Sequence, residues 1–376
     1  VYICKQLSEK YPEINVYYEL LKKLPQNIFH IIWSTPESYL WSKITWDLIH
    51  QETTESKFLN NYLNWNSSSS DEQLKIQINK LLLFILSGHI LLDKKIIFSD
   101  YINVSKTGSF PGAGISWSFN QAFEILGYHN KKIIVQINNK EYLFDISEVF
   151  DPNANSLFFY QPKVDDCEMS IDIWSECARM DFEGMEWIHR LNDHDKINKF
   201  KLTIHEALIN IKKYDETIYK ELNLLISKIV PLEVISDAVP SSSNSTILGI
   251  VFCTYCEDPL LLAEMFIHEL SHNKLFLFQE TDPLLNSEIH GDGWSDESFY
   301  SPWRSDQRPL NGILHGLYVF VEVIGFWNSV VNDFNTKDYE HISFKRFYLL
   351  VEQVKIAFDV LNKNATFTEH GNELMN

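Results

Sequence analysis

Pro259 to Phe278, PLLLAEMFIHELSHNKLFLF, is the stretch on which the reading of the whole chain turns. It is long and apolar on nearly every face, through Leu260, Leu261, Leu262, Met265, Phe266, Ile267, Leu270 and Leu275, so the pattern predicts a buried helix. Inside it stands His268-Glu269-Leu270-Ser271-His272. Positions i and i+4 of a helix share one face, so both imidazoles can point at one ion while Glu269 stands beside them. With 13 His and 51 acidic residues in 376, composition alone gives about 0.06 matches to this spacing. The competing reading is a core helix with two hydrogen-bonded histidines, and in either case buried imidazoles require partners.

Two histidines do not hold a metal, so a third protein ligand has to come from another part of the chain. The helix expected from Leu310 to Phe334 offers His315, flanked by Ile313, Leu314, Leu317 and Val319. Glu322 lies seven residues on, along the same face, and competes for the role. We favour His315, with His290, in a polar glycine-containing loop, as a weaker third option. Just upstream, Tyr300-Ser301-Pro302-Trp303-Arg304-Ser305-Asp306-Gln307-Arg308-Pro309 brings two arginines close to the site. Guanidinium forks match carboxylates bidentately, so Arg304 and Arg308 are candidates for a carboxylate clamp. The alternative is that they pair with Asp306, Asp296 or Glu297 at the surface.

A net charge of −19 works against binding nucleic-acid phosphates or anionic membranes and favours a neutral or basic partner such as a peptide. Five scattered cysteines do not make a disulfide framework and fit a reducing compartment, so a cytoplasmic location is expected. Cys253-Thr254-Tyr255-Cys256 has the spacing of half a zinc site, but it falls in an expected strand with no second such pair. The apolar runs Leu81–Leu92 and Ile313–Trp327 are too short or carry His315 and Glu322, so neither is expected to span a bilayer.

The expected fold class is α+β and predominantly helical: an HExxH helix packed against a second ligand-bearing helix, with a small β-rich insertion in the N-terminal half. Residues 1–165 form an N-terminal helical region with a β-hairpin, and 166–376 a helical domain carrying the metal-site residues. Helical spacing runs from Tyr11 to about Leu92, interrupted at Ser67–Ser70, where Ser70 and Gln73 read as a capping box. Trp33, Trp41, Trp46 and Trp65 make this region a packing surface or a peptide-docking face, the former being favoured. Gly108 to Gly114 reads as a glycine-rich loop lacking the Lys-Ser/Thr of a phosphate loop. Ile133–Ile137 and Tyr142–Ile146 form a hairpin about Asn138-Asn139-Lys140, and a strand is expected at Leu157–Tyr160. Helical periodicity resumes near Phe182 and is clear from Ile204 to Ile229, with Pro231 as its stop. Ser241–Ser245 is a polar loop before a strand at Thr246–Tyr255. A last long helix is expected from Tyr339 to Asn362.

The C-terminal part, from about Pro231 to Asn376, resembles the HExxH-motif family of peptide-modifying proteins found beside ribosomally made natural-product precursors. The resemblance rests on Ala263-Glu264 leading into His268-Glu269-Leu270-Ser271-His272-Asn273-Lys274-Leu275, and on Pro302-Trp303-Arg304 with Arg308-Pro309. His315-Gly316-Leu317-Tyr318, Phe326-Trp327 and the ending Thr368-Glu369-His370-Gly371 complete it. It implies an Fe(II)- and 2-oxoglutarate-dependent dioxygenase that uses O2 to hydroxylate the β-carbon of a residue in a precursor peptide. His268, His272 and His315 would then hold the iron, Arg308 or Arg304 would bind the distal carboxylate of 2-oxoglutarate, and Glu269 would orient a ligand or water. A three-histidine set departs from the usual 2-His-1-carboxylate arrangement, which keeps Glu322 open. The rival expectation is a zinc metallopeptidase in which Glu269 takes the proton of the attacking water. A non-catalytic peptide-binding module with a structural metal is the third.

Overall fold

The computed structural model describes residues 2–12, 15–50, 70–147, 157–175, 177–179, 188–191, 193–234, 241–294, 297–333 and 340–376. Over these the protein is mixed α+β, more than half helical, with a curled half-barrel sheet. The chain divides into two compact units. One comprises Val1–Asn192, Ser227–Ala238 and Thr246–Phe252; the other comprises Asp193–Ile226, Val239–Ser245 and Cys253–Asn376. Trp65, most of the Ser67–Ser70 connection and the helix start at Phe182 lie outside the described residues.

The first unit opens with helices α1 (Tyr2–Lys10), α2 (Asn15–Lys22), α3 (Gln26–Trp33), α4 (Pro36–His50) and α5 (Ser70–Leu91). The described part of helix α5 starts at Ser70. Trp41 is a core residue and Trp33, partly buried, packs against the core: both rings meet Phe84 of α5, and Trp41 Nε1 donates to the Gln77 carbonyl at 3.1 Å.

Seven strands follow: β1 (Ile96–Val104), β2 (Thr107–Phe110), β3 (Ile115–Ser118), β4 (Phe123–His129), β5 (Lys132–Ile137), β6 (Lys140–Ser147) and β7 (Phe158–Tyr160). They form one sheet in the order β1-β4-β5-β6-β7-β3-β2. Two-residue turns with positive φ at both positions, Asn130-Lys131 and Asn138-Asn139, join β4 to β5 and β5 to β6. Such turns match the twist of the strands they connect. The glycine-rich stretch expected to be a loop is a hairpin instead. Gly108 is paired with Trp117 inside β2–β3, and only residues 111–114 make the turn. In a second sheet β10 (Lys228–Val234) pairs with β8 (Ser170–Ile171), β9 (Ile188–Arg190) and β12 (Ile250–Thr254). Lys228 is buried there between Glu37 and Asp172, and the other Asp172 oxygen accepts the Trp174 and Ser175 N–H groups.

The second unit carries α6 (His194–Tyr214), α7 (Glu216–Leu225), the short strand β11 (Ser241–Ser242), α8 (Pro259–Gln279), the single turn α9 (Ser287–His290), α10 (Leu310–Asn332), α11 (Glu340–Asn364) and α12 (Glu369–Met375). The continuous helix expected over Ile204–Ile229 is broken at Asp215. Its extended backbone ends α6, and its side chain accepts the Ile218 N–H at 3.0 Å to start α7. Ile229 and Pro231 belong to strand β10, where the β-branched run is paired. The strand expected over Thr246–Tyr255 is confined to β12.

Helix α8 starts where Asp258 accepts the N–H groups of Leu260 and Leu261, with Pro259 in the first turn. It buries apolar side chains on most faces, from Leu262 and Ala263 to Leu270 and Leu275. Its buried polar residues are all bonded. Glu264 accepts Trp327 Nε1 at 2.6 Å and the Arg346 guanidinium, Ser271 donates to the Ile267 carbonyl, and Asn273 donates to the Glu269 carbonyl. Among the described residues α5 and α10 reach the length and hydropathy of a membrane span, longer than the apolar runs read from the sequence. More than half of the apolar window in α10 is nevertheless buried within the protein.

Candidate functional site

The six residues favoured from the sequence, His268, Glu269, His272, Arg304, Arg308 and His315, line one cavity of about 610 Å³, whereas the alternatives Glu322 and His290 are not among its lining. Helical spacing sets the first pair, whose ring centroids are 4.9 Å apart. His315 comes from α10, and its Nδ1 faces Nδ1 of His272 at 3.3 Å. The other ring nitrogen of His315, Nε2, lies 2.9 Å from Oε1 of Gln279, which sits two turns beyond His272 on α8. Aromatic rings wall the site: Phe320 is 5.1 Å from His268, Phe276 is 5.4 Å and Trp294 5.8 Å from His315 by centroids. Trp303 stacks on Phe320 at 4.9 Å, and Gln353 holds the preceding Pro302 carbonyl at 2.8 Å.

Burial governs the electrostatics. It lowers the pKa of His268 to about 4, with Arg346 adding to the effect, and those of His272 and His315 to about 3, each helped by the neighbouring imidazole. All three rings are therefore neutral at pH 7 and offer lone pairs, the form in which histidine ligates metals. Glu269 is buried, and its Oε2 accepts the Ser243 hydroxyl at 2.8 Å.

Arg304 and Arg308 both approach one carboxylate, Asp306, at 3.2 and 3.1 Å. The surface pairing weighed against a carboxylate clamp is thus present, with Asp306 as the partner. Among the described residues the two guanidinium groups share this one carboxylate; Asp296, the other aspartate weighed as a partner, lies outside them. Arg308 is the less exposed of the two, and mutual backbone bonds between Phe299 and Arg308, at 2.7 and 2.8 Å, clip its loop.

The competing third ligands are committed elsewhere. Glu322 Oε1 accepts Lys274 Nζ at 2.9 Å, and Lys274 is held equally by Glu221. His290 Nε2 accepts the Thr366 N–H at 2.8 Å, which occupies its lone pair. Ser243 and Gln279 went unrecognised in the sequence. The signal for Gln279 was there, since it lies seven residues after His272 and therefore on its face of the helix. Ser243 carried none beyond its place in a polar loop.

Does the donor set suit a metal ion? Two nitrogens each about 2.1 Å from a common ion lie roughly 3.0 to 3.4 Å apart in octahedral or tetrahedral geometry. The His272–His315 separation falls in that range. Among the described residues no group of three or more His, Cys, Asp or Glu stands together so that it could hold a metal ion. The fit is therefore a facing pair with His268 on the same cavity wall. No protein-family model matches the chain, and no curated protein matches it in sequence.

Proposed function

We propose that the protein is a non-haem iron dioxygenase that uses 2-oxoglutarate and O2 to hydroxylate a residue in a ribosomally synthesised precursor peptide. One observation carries the reading: three neutral histidines, His315 buried and His268 and His272 half-buried, share a cavity with two arginines that, among the described residues, pair with one carboxylate. The resemblance of the C-terminal motifs to HExxH-type peptide hydroxylases supplies the reaction class. In this arrangement the HExxH helix α8 packs against a second ligand-bearing helix, α10.

His268, His272 and His315 would hold Fe(II), which when bound would activate O2, the oxidant, for insertion of one of its oxygen atoms into a C–H bond. The second oxygen atom goes into succinate as 2-oxoglutarate loses CO2, so atoms and electrons balance. Arg308 binds the distal carboxylate of 2-oxoglutarate in place of Asp306, with Arg304 as the more exposed alternative; a charged fork offsets the desolvation of that carboxylate. Ser243 fixes the Glu269 carboxylate, and Glu269 in turn orients a ligand or a bound water. Phe276, Trp294, Trp303 and Phe320 shield the reacting carbon from bulk water. The excess negative charge of the chain suits a neutral or basic peptide.

A zinc metallopeptidase remains the second reading because Glu269 lines the same cavity as the histidines. Anaerobic titration with Fe(II) and 2-oxoglutarate separates the two. The dioxygenase reading predicts a visible metal-to-ligand absorption that requires both additions and is lost in His272→Ala. No 2-oxoglutarate binding to the Fe(II)-loaded protein overturns it.

A further inference from the structure

The backbone carbonyl of Asp292 can only accept a hydrogen bond, and Asn311 Nδ2 lies 3.3 Å from it. That fixes the orientation of the Asn311 amide and leaves its Oδ1 facing Gln279. Gln279 Nε2 is 2.8 Å from this oxygen and donates to it, so Gln279 Oε1 is the atom presented to His315 Nε2 at 2.9 Å. An amide oxygen has no proton to give. His315 Nε2 must therefore carry the hydrogen, and in a neutral imidazole Nδ1 is then bare.

We infer that Gln279 and Asn311 are positioning residues that hold His315 in its Nε2–H tautomer, with the Nδ1 lone pair aimed at His272. The polarity of the whole relay is set 19 residues before Asn311, at Asp292. Helical spacing assembles it: Gln279 is seven residues beyond His272 on α8, and His315 four beyond Asn311 on α10. The loop approaches closely because residue 293 is glycine, with φ +73°; a Cβ there would lie 3.0 Å from the Asn311 Cβ. Asn311 itself is buried and also donates its backbone N–H to the Gly293 carbonyl at 3.1 Å. With His315 preset, the hydrogen between the two facing Nδ1 atoms belongs to His272, which is then the residue that must move its proton to Nε2 before an ion can sit between those two atoms. That consequence rests on the proposed metal-binding function; the tautomer does not.

The test uses the full chain, metal-free, with ring-15N histidine. Long-range 15N–1H correlation should show His315 as the Nε2–H tautomer, and Gln279→Leu should lose that preference while Gln279→Glu, which still offers an acceptor, keeps it. Co(II) alone serves as the metal probe: Gln279→Leu should bind it about 10- to 100-fold more weakly than wild type, and Gln279→Glu near wild type. An Nδ1–H tautomer of His315 in the wild-type protein overturns the inference, even if Gln279→Leu fails to fold. A correct tautomer without Co(II) binding by wild type overturns the metal reading and leaves the relay standing. Co(II) binding by wild type with an unchanged tautomer and affinity in Gln279→Leu does the reverse.

Discussion

Replacing Gly316 with alanine sets two known effects against each other. In an α-helix interior Gly→Ala ordinarily stabilises by about 1 kcal/mol, because alanine loses less backbone entropy. At Gly316 an added Cβ would lie 2.5 Å from Trp303 Cζ3 and 2.7 Å from Cε3. Carbon atoms in ordinary contact sit about 3.5 to 4.0 Å apart, so the indole would have to retreat by about 1 Å. It has little room: Phe320 is stacked against it, and Gln353 holds the preceding Pro302 carbonyl. Overpacking of this kind costs about 1 to 3 kcal/mol, enough to reverse the helix gain and leave a net loss of about 1 kcal/mol. Gly325, on the same helix, has nothing within 4 Å of its would-be Cβ and is exposed. There alanine should stabilise by about 1 kcal/mol. Urea denaturation of Gly316→Ala and Gly325→Ala should therefore give shifts of opposite sign, about 2 kcal/mol apart. Equal stabilisation by both would refute the packing of Trp303 on α10, and with it the position of one wall of the cavity.

His315→Ala should abolish retention of Fe(II) through desalting, whereas Glu322→Gln should leave most of it, since Glu322 is bonded to Lys274; metal analysis of the desalted proteins would decide, and the opposite ranking would make Glu322 the ligand. Arg308→Ala should raise the 2-oxoglutarate concentration needed for half-maximal binding by roughly 10- to 100-fold, the loss of one charge-assisted bond, and Arg304→Ala by less; unchanged binding in both removes the arginines from the site. The site histidines, at about 4 for His268 and about 3 for His272 and His315, titrate below the unfolded value of about 6.5. Across that window the unfolded chain binds more protons, so stability of the metal-free protein falls as pH drops below about 6.5, by up to about 1.4 kcal/mol per pH unit for each histidine, and is flat in this respect above it. Denaturation curves between pH 4.5 and 8 check this, and a stability independent of pH below 6 would contradict the burial of the neutral rings.

What was legible in the sequence was what depends on neighbours along the chain. Helix α8 is bounded by Asp258-Pro259, and the Asn138-Asn139 turn is marked by the residue types that tolerate positive φ. The break at Asp215 was hidden because a capping aspartate looks like any charged residue on a helix surface. Gly108 was hidden because glycine reads as loop, whereas here it makes room in a strand for the Trp117 ring. At the site, spacing put His268 and His272 on one face, but it could not choose between His315 and Glu322, which lie two turns apart on one helix. The contacts that bear on it, Lys274 to Glu322 and Gln279 to His315, are made between segments and leave no mark in the local sequence. Ser243 and the sharing of Asp306 by two arginines are likewise contacts between segments, with no local signature.

The most direct test of the central claim is the mass of the peptide product. Protein purified anaerobically and given Fe(II), 2-oxoglutarate, O2 and its cognate precursor peptide should return the peptide intact and heavier by one oxygen, about 16 Da. Formation of that product should stop when either 2-oxoglutarate or O2 is withheld, and should survive, at reduced rate, in Glu269→Gln. Peptide fragments formed with Zn(II) in the absence of 2-oxoglutarate and O2, and lost in Glu269→Gln because the attacking water has no base, would contradict the account.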